Sequence, residues 1–228
     1  MTLFSAPFAV VDLETTGIPN RPEGFQPKVV ELGACIVGSD GALLDRISFF
    51  VRQPHDVLHD PRAARAFEIT GITPDEVHDQ GLHQPLAAKV FALWLAAHRV
   101  TSGIAGLVAF NQDFDFGFLR SERWNTFGRS RVPEGECLML AAMDLMGPAG
   151  ALPPAPAFAQ AKGQKWKWPR VAEAVAFFNG RGYDIAWGEN AAHRALEDCL
   201  KEAALAVAIA KERKQRDQQL GLPLSGAS

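Results

Sequence analysis

The sequence predicts an α/β domain built on a mixed sheet with helices on its faces. Two observations carry that expectation. Near the N-terminus, two apolar segments flank Gly38-Ser39-Asp40-Gly41, a hairpin turn. After that hairpin, short apolar runs alternate with segments of helical period, the pattern of strands covered by helices. The composition agrees with a packed core: of 228 residues, 47% are hydrophobic and 21% charged.

That length suggests about one and a half average domains, so one embellished domain fits better than two small ones. The 20 Gly and 15 Pro are scattered without a period, which excludes collagen and low-complexity repeats. A net charge of -3 excludes a strongly basic nucleic-acid coat, but an enzyme on nucleic acid needs only local basic groups. Cys35, Cys137 and Cys199 lie far apart in sequence and form no CxxC. A disulfide framework and a Cys-based zinc site are therefore not expected, and a reducing, cytoplasmic compartment is. The apolar N-terminus lacks a basic lead and runs into Asp12 and Glu14, so it reads as a strand and not as a signal peptide. No membrane span is expected.

Residues 8–13 read as a buried strand, 28–37 as a second and 43–52 as a third, antiparallel to the second. Residues 61–69 predict a short helix. Residues 84–98 predict an amphipathic one, with Leu86, Val90, Leu93, Trp94 and Ala97 inward. Residues 106–110 read as a strand. Residues 113–127 read as a helix with Phe114, Phe118 and Leu119 on one side, and 136–145 as a short strand leading into a helix. The Pro/Ala/Gly-rich stretch 147–163 is expected to be a long loop inserted into the domain. Helices are expected over 167–178 and from 191 to about 214, the last with Leu196, Leu200, Ala203 and Val207 inward. Residues 214–228 are expected to be a flexible tail.

Asp12 and Glu14 stand two apart on a strand and so share a face at the end of an apolar run. Such a pair is costly unless something positive compensates it. Alone it reads as a solvated strand end. Asp115 follows another apolar strand, in the first turn of a helix, where the dipole favours acids; Asn111 and Asp113 before it fit capping. Asp198 lies in the last helix, and His193 is placed where that helix begins. Taken together, three acidic sites after three apolar elements, with one His, suit Mg²⁺ or Mn²⁺ and not zinc. Two such ions make an in-line phosphoryl-transfer site. An imidazole titrates near neutrality and can serve as its base.

In these motifs the sequence resembles the DnaQ-like (DEDDh) 3′–5′ exonucleases. Val10-Val11-Asp12-Leu13-Glu14-Thr15-Thr16-Gly17 matches the first motif of that family. Asn111-Gln112-Asp113-Phe114-Asp115-Phe116-Gly117-Phe118-Leu119 matches the second, which selects Asp115 over Asp113. His193-Arg194-Ala195-Leu196-Glu197-Asp198 matches the third in its histidine form. Residues 29–33 match the family's second strand, with Glu31 in it, and 69–73 match a turn after a helix. Many relatives carry His before the Asn of the second motif, where this chain has Phe110.

The resemblance implies an RNase H-like fold with a five-stranded mixed sheet whose second strand is antiparallel. It implies two divalent cations, Mg²⁺ or Mn²⁺, held by Asp12, Glu14, Asp115 and Asp198, with His193 as general base. The backbone around Leu13, Thr15 and Thr16 would receive the terminal nucleotide, and Asn111 is placed with them as a substrate-binding candidate. The product would be a nucleoside 5′-monophosphate released from DNA 3′ ends. Two alternatives stand beside this reading: an exoribonuclease of the same fold trimming RNA 3′ ends, and a non-catalytic nucleic-acid-binding module. The exonuclease region is expected to fill residues 1–213 and to act alone or beside a DNA polymerase as its proofreading subunit.

Three smaller signals remain. Residues 162–170, KGQKWKWPR, combine four basic side chains with two Trp. Lys165, Trp166, Lys167 and Trp168 are candidates for gripping phosphates and stacking bases; the competing reading is a core staple with solvated lysines. Arg120, Arg123, Arg129 and Arg131 read as a solvated helix face. His55 and His59 have metal-ligand spacing but no companion ligand.

Overall fold

The computed structural model describes residues 6–186 and 193–219. The chain opens with three strands, β1 (Phe8–Thr15), β2 (Val29–Val37) and β3 (Leu43–Arg52). Three short helices follow, α1 (His55–Leu58), α2 (Ala64–Thr70) and α3 (Pro74–Gln80). A two-residue strand, β4 (Leu82–His83), leads into α4 (Gln84–Thr101). Then come β5 (Leu107–Val108), α5 (Gln112–Leu119), α6 (Thr126–Ser130) and α7 (Leu138–Met146). The chain closes with α8 (Ala157–Gln160), α9 (Val171–Asn179) and α10 (Ala195–Gln219).

The strands form one five-stranded mixed sheet in the order β4-β3-β2-β1-β5. β2 runs antiparallel to both β1 and β3, while β5 joins β1 in parallel. This is the RNase H-like arrangement that the motifs imply. β2 is buried along its whole length because helices cover both faces of the sheet. On one face Phe8, Val10, Cys35 and Val37 pack against Leu138 of α7, Phe178 of α9 and Leu205 of α10. On the other, Val11, Leu32 and Ile36 pack against Phe91 of α4 and Phe116 of α5. Each such large apolar side chain contributes about 1.5–3 kcal/mol on leaving water.

Gly33 on β2 positions the last helix. A Cβ there would lie 2.2 Å from the Ala195 carbonyl carbon and the Leu196 nitrogen, so only glycine lets α10 begin directly against the strand. Gly71 ends α2 in the left-handed region, φ 66°, and Thr73 then starts α3 with a capping box to Glu76.

Several sequence expectations are corrected. The expected helix 113–127 stops at Leu119, where the Ser121 hydroxyl donates to the Phe118 carbonyl, and α6 restarts after Asn125. Within α5 Leu119 is buried as expected and Phe118 packs partly buried against the core, while Phe116 and Asp115 are buried in place of Phe114. The expected strand at 136 is a single parallel bridge, Leu107 to Glu134. Pro133 offers its carbonyl to the Leu107 N–H but has no N–H of its own to extend the ladder. The helix expected from 167 starts at Val171, because Pro169 holds the preceding residue extended. α4 buries Ala88, Phe91 and Leu95 and leaves Leu86 and Leu93 exposed. Segment 147–163 is not a bare loop: it contains α8, and Leu152, Ala155 and Ala159 are buried. α10 continues to Gln219, past the expected start of the tail at 214. The expected tail beyond 219, and the expected helix start at 191–192, lie outside the described residues.

Candidate active site

β1 carries Asp12 and Glu14 on the same face as Phe8 and Val10, the face that α10 covers. Both carboxylates are half-buried at the end of the apolar run. α10 supplies Asp198 opposite them. His193 stands just before the helix, and its Nδ1 lies 3.0 Å from Asp198 Oδ2. Ligand atoms of Glu14, His193 and Asp198 fall within 4.8 Å of one another; among the described residues no other such group of three is present, and His55 and His59 gain no third ligand. Asp115, in the first turn of α5, is only 4% exposed, whereas Asp113 points to solvent. The register that selects Asp115 therefore coincides with burial.

The electrostatics of this cluster are severe. Burial first, then the charges of Asp198 and Glu31, push the Asp12 carboxyl up to about 8, against a pull from Lys201. Burial, then Asp12, Asp198 and Glu31, push Glu14 up to about 9. Asp115 is pushed well above the usual carboxylate range by burial and by Asp12. Asp115 Oδ1 is a buried oxygen without a hydrogen-bond partner. An orphaned buried oxygen among crowded carboxylates suits a hard cation. The residues present fit a divalent cation.

Two acids beside the cluster behave differently from each other. Glu31, paired in register with Glu14 on the neighbouring strand, is 3% exposed and fully engaged. It accepts from Arg194 Nη2 at 2.8 Å and Nε at 3.1 Å, and from the Ala195 N–H at 3.1 Å. It thus anchors the start of α10 and, with it, His193. Glu202 is 4% exposed and accepts from the Phe110 N–H at 3.2 Å. Burial and the charges of Asp12 and Asp115 push its carboxyl well up. Sequence reading missed Glu202 because it took the α10 stripe as Leu196, Leu200, Ala203 and Val207. Ala203 is buried as expected and Leu200 and Val207 are partly buried against the same core, but the buried set also includes Ala195, Cys199, Glu202, Ala206 and Ile209. Glu202 stands four residues after Asp198, on its side of the helix, which is the signal that could have found it.

The substrate-binding candidates are placed unevenly. Leu13, Thr15 and Thr16 are buried beside the acids. The Thr15 hydroxyl donates to the Gly17 carbonyl at 2.7 Å, and the Thr16 hydroxyl accepts from the Lys28 N–H at 2.9 Å, so both shape the loop. Asn111 stands at the N-cap of α5 without a side-chain cap bond; its carbonyl starts the helix instead. An open cleft of about 530 Å³ runs alongside, lined by Lys28, Gln53, Phe114, Phe118 and Arg123 among others. Lys165, Trp166, Lys167 and Trp168 are tied to the 147–163 segment. Pro154 bridges Trp166, and the Lys167 ammonium is paired with Glu173 at 2.6 Å. Trp166 packs partly buried against the core, with the Lys165 ammonium 5.2 Å from its ring centroid, and Trp168 is 53% exposed. The expected basic group on α5 and α6 is partly spent: Arg120 pairs with Glu134 at 2.5 Å.

The three cysteines are free, but Cys35 and Cys199, distant in sequence, meet with Sγ atoms 3.4 Å apart. Among the described residues no helix is long and apolar enough to cross a membrane.

No family model matches the chain. Among curated proteins, it is 34% identical over 119 residues to the PolC-type DNA polymerase III of Halalkalibacterium halodurans. It is 33% identical over 112 residues to that of Bacillus cereus. These matches span 52% and 49% of this chain but only 7% of each polymerase. Among solved structures, E. coli exonuclease I in complex with a dA16 oligonucleotide superposes with a TM-score of 0.61 at 19% identity, over 93% of this chain and 42% of that one. A 3′-exonuclease that recognises the histone mRNA stem-loop superposes with a TM-score of 0.62 at 15% identity, over 91% and 64%. In its fold and in the order of its acidic motifs, the chain resembles the DnaQ-like (DEDDh) 3′–5′ exonucleases of the RNase H-like superfamily.

Proposed function

We propose that this protein is a metal-dependent 3′–5′ exonuclease that removes nucleoside 5′-monophosphates from DNA 3′ ends. The observation that carries the reading is the convergence of Asp12, Glu14, Asp115 and Asp198, from three separate elements, on one undercompensated cluster with His193 at its rim. Asp12, Glu14, Asp115 and Asp198 are the residues that would hold the divalent cations. When bound, such cations activate water and neutralise the charge developing on the phosphate. His193 Nδ1 lies 3.0 Å from Asp198 Oδ2, and with Nδ1–H donating to that oxygen the ring keeps its lone pair on Nε2. His193 can then take the proton of the attacking water. The buried loop at Thr15 and Thr16 positions the terminal nucleotide, and the Phe114–Phe118 cleft receives the strand behind it. Trp168 and Lys165 add an outer contact to longer single strands. The exonuclease domain takes in β1 through α10, with 147–163 as its own addition. A DNA polymerase is the partner that the matches to PolC-type enzymes favour.

The second reading, an exoribonuclease, is favoured by the likeness to an exonuclease of a histone mRNA stem-loop. One experiment separates them. End-labelled single-stranded DNA, duplex DNA and RNA of one sequence are digested side by side with Mg²⁺ or Mn²⁺. Stepwise 3′ shortening of DNA faster than of RNA supports the proposal. Faster RNA shortening replaces it with the second reading, and no shortening of any substrate rejects both.

A further inference from the structure

The carboxylate cluster already contains a cation of the chain's own. Lys201 stands three residues after Asp198 on α10, and its ammonium lies 2.8 Å from Asp198 Oδ1. The other oxygen of Asp198 is held by His193 at 3.0 Å. Both oxygens of the central α10 acid are therefore engaged by protein groups. The Lys201 side chain is only 15% exposed, so its charge acts in a weakly screened environment. That charge reaches Asp12 as well, where it opposes the upward push from the surrounding acids. Beside it Glu202 adds a buried acid to the four motif acids.

We propose that Lys201 is a resident counter-cation of this cluster. It sets metal affinity by holding Asp198 until a divalent ion displaces it. The inference rests on the metal-binding reading of the acids and goes beyond it. A dication and an ammonium that share one carboxylate in a half-buried site repel each other, so the ion binds only as the lysine swings out. In exchange, the cation-free protein avoids a cluster of acids with no positive charge among them. Lys201 acts through Asp198 and Asp12, as a positioning residue.

The test is a Mn²⁺ titration of the full chain, with free Mn²⁺ read by electron paramagnetic resonance, together with thermal melts in EDTA. Wild type, Lys201→Met and Lys201→Arg are compared. Lys201→Met should bind Mn²⁺ roughly tenfold tighter or more, and should melt lower than wild type in EDTA. Lys201→Arg should stay within about twofold of wild type, since it keeps the charge. If Lys201→Met does not fold in EDTA, Lys201→Gln gives the same reading with a polar side chain of similar reach. Unchanged or weaker Mn²⁺ binding in the neutral variant, with wild type binding normally, overturns the role of Lys201 alone. Absence of Mn²⁺ binding by wild type overturns the metal reading and this inference with it.

Discussion

Two sets of acids sit side by side on the paired strands β1 and β2, and they are treated in opposite ways. Glu31 is closed off and paired, with two guanidinium nitrogens and one backbone N–H on its oxygens. Asp12 and Glu14 on the adjoining strand receive no such set, and their protons are held up to about 8 and 9. The contrast separates an acid that builds the fold from acids that wait for a ligand. A buried carboxylate with its partners in place fastens the start of α10; one without them stores electrostatic cost that a cation can relieve.

The largest expected effect is on turnover. Asp12→Asn, Asp115→Asn and Asp198→Asn should each lower kcat on single-stranded DNA on the order of 10²–10³-fold or more, measured by release of labelled nucleotide. Asp113→Asn, on the solvent side of α5, should change it less than about threefold. His193→Ala should lose most turnover while still binding Mn²⁺.

The next effect reverses sign between the two sets. Glu31→Gln should destabilise the protein by about 2 kcal/mol, less than for a fully buried pair because Arg194 reaches solvent. Asp12→Asn should stabilise the cation-free protein by up to a few kcal/mol near pH 8, because it removes a charge that burial disfavours. Urea midpoints in EDTA read both. A loss of stability in Asp12→Asn would erase the contrast.

The pH dependence follows from the same two acids. Their folded values, about 8 and about 9, lie above the ordinary 3.8 and 4.5, so the folded protein holds protons that the unfolded chain has released. Their contribution to stability is full below about pH 4 and is lost as pH rises through about 8 and 9. In EDTA the urea midpoint should therefore fall between about pH 5 and pH 9, and Mg²⁺ should flatten that fall. The smallest effect concerns the outer segment. Trp166→Ala should lower Tm by several degrees with KM for long single strands unchanged. Trp168→Ala with Lys165→Ala should raise that KM about threefold with Tm unchanged.

Much of this site was legible because strand geometry is simple. A period of two puts Asp12 and Glu14 on one face, and the second motif selects Asp115, which proves buried where Asp113 is not. The hairpin was fixed by a four-residue turn. Helix faces were less legible. α4 and α10 both carry enough apolar residues for more than one stripe, and only the sheet decides which one turns inward. That is why Glu202 and Lys201 escaped notice and why Leu86 and Leu93 were expected inside. The 147–163 segment looked like a loop because Pro and Gly dominate it. Its order comes from tertiary contacts, Trp166 on the core and Lys167 on Glu173, which local composition does not encode.

If a divalent cation relieves the crowding of Asp12, Glu14, Asp115 and Asp198, stability must depend on that cation through those four acids. Thermal melts across a Mn²⁺ series, on wild type and on the Asp12→Asn, Asp115→Asn double variant, test it most directly. Wild-type Tm should climb with Mn²⁺, and the double variant should melt high in EDTA and climb little. Equal Mn²⁺-dependent shifts in both proteins, or no shift in wild type, would contradict it.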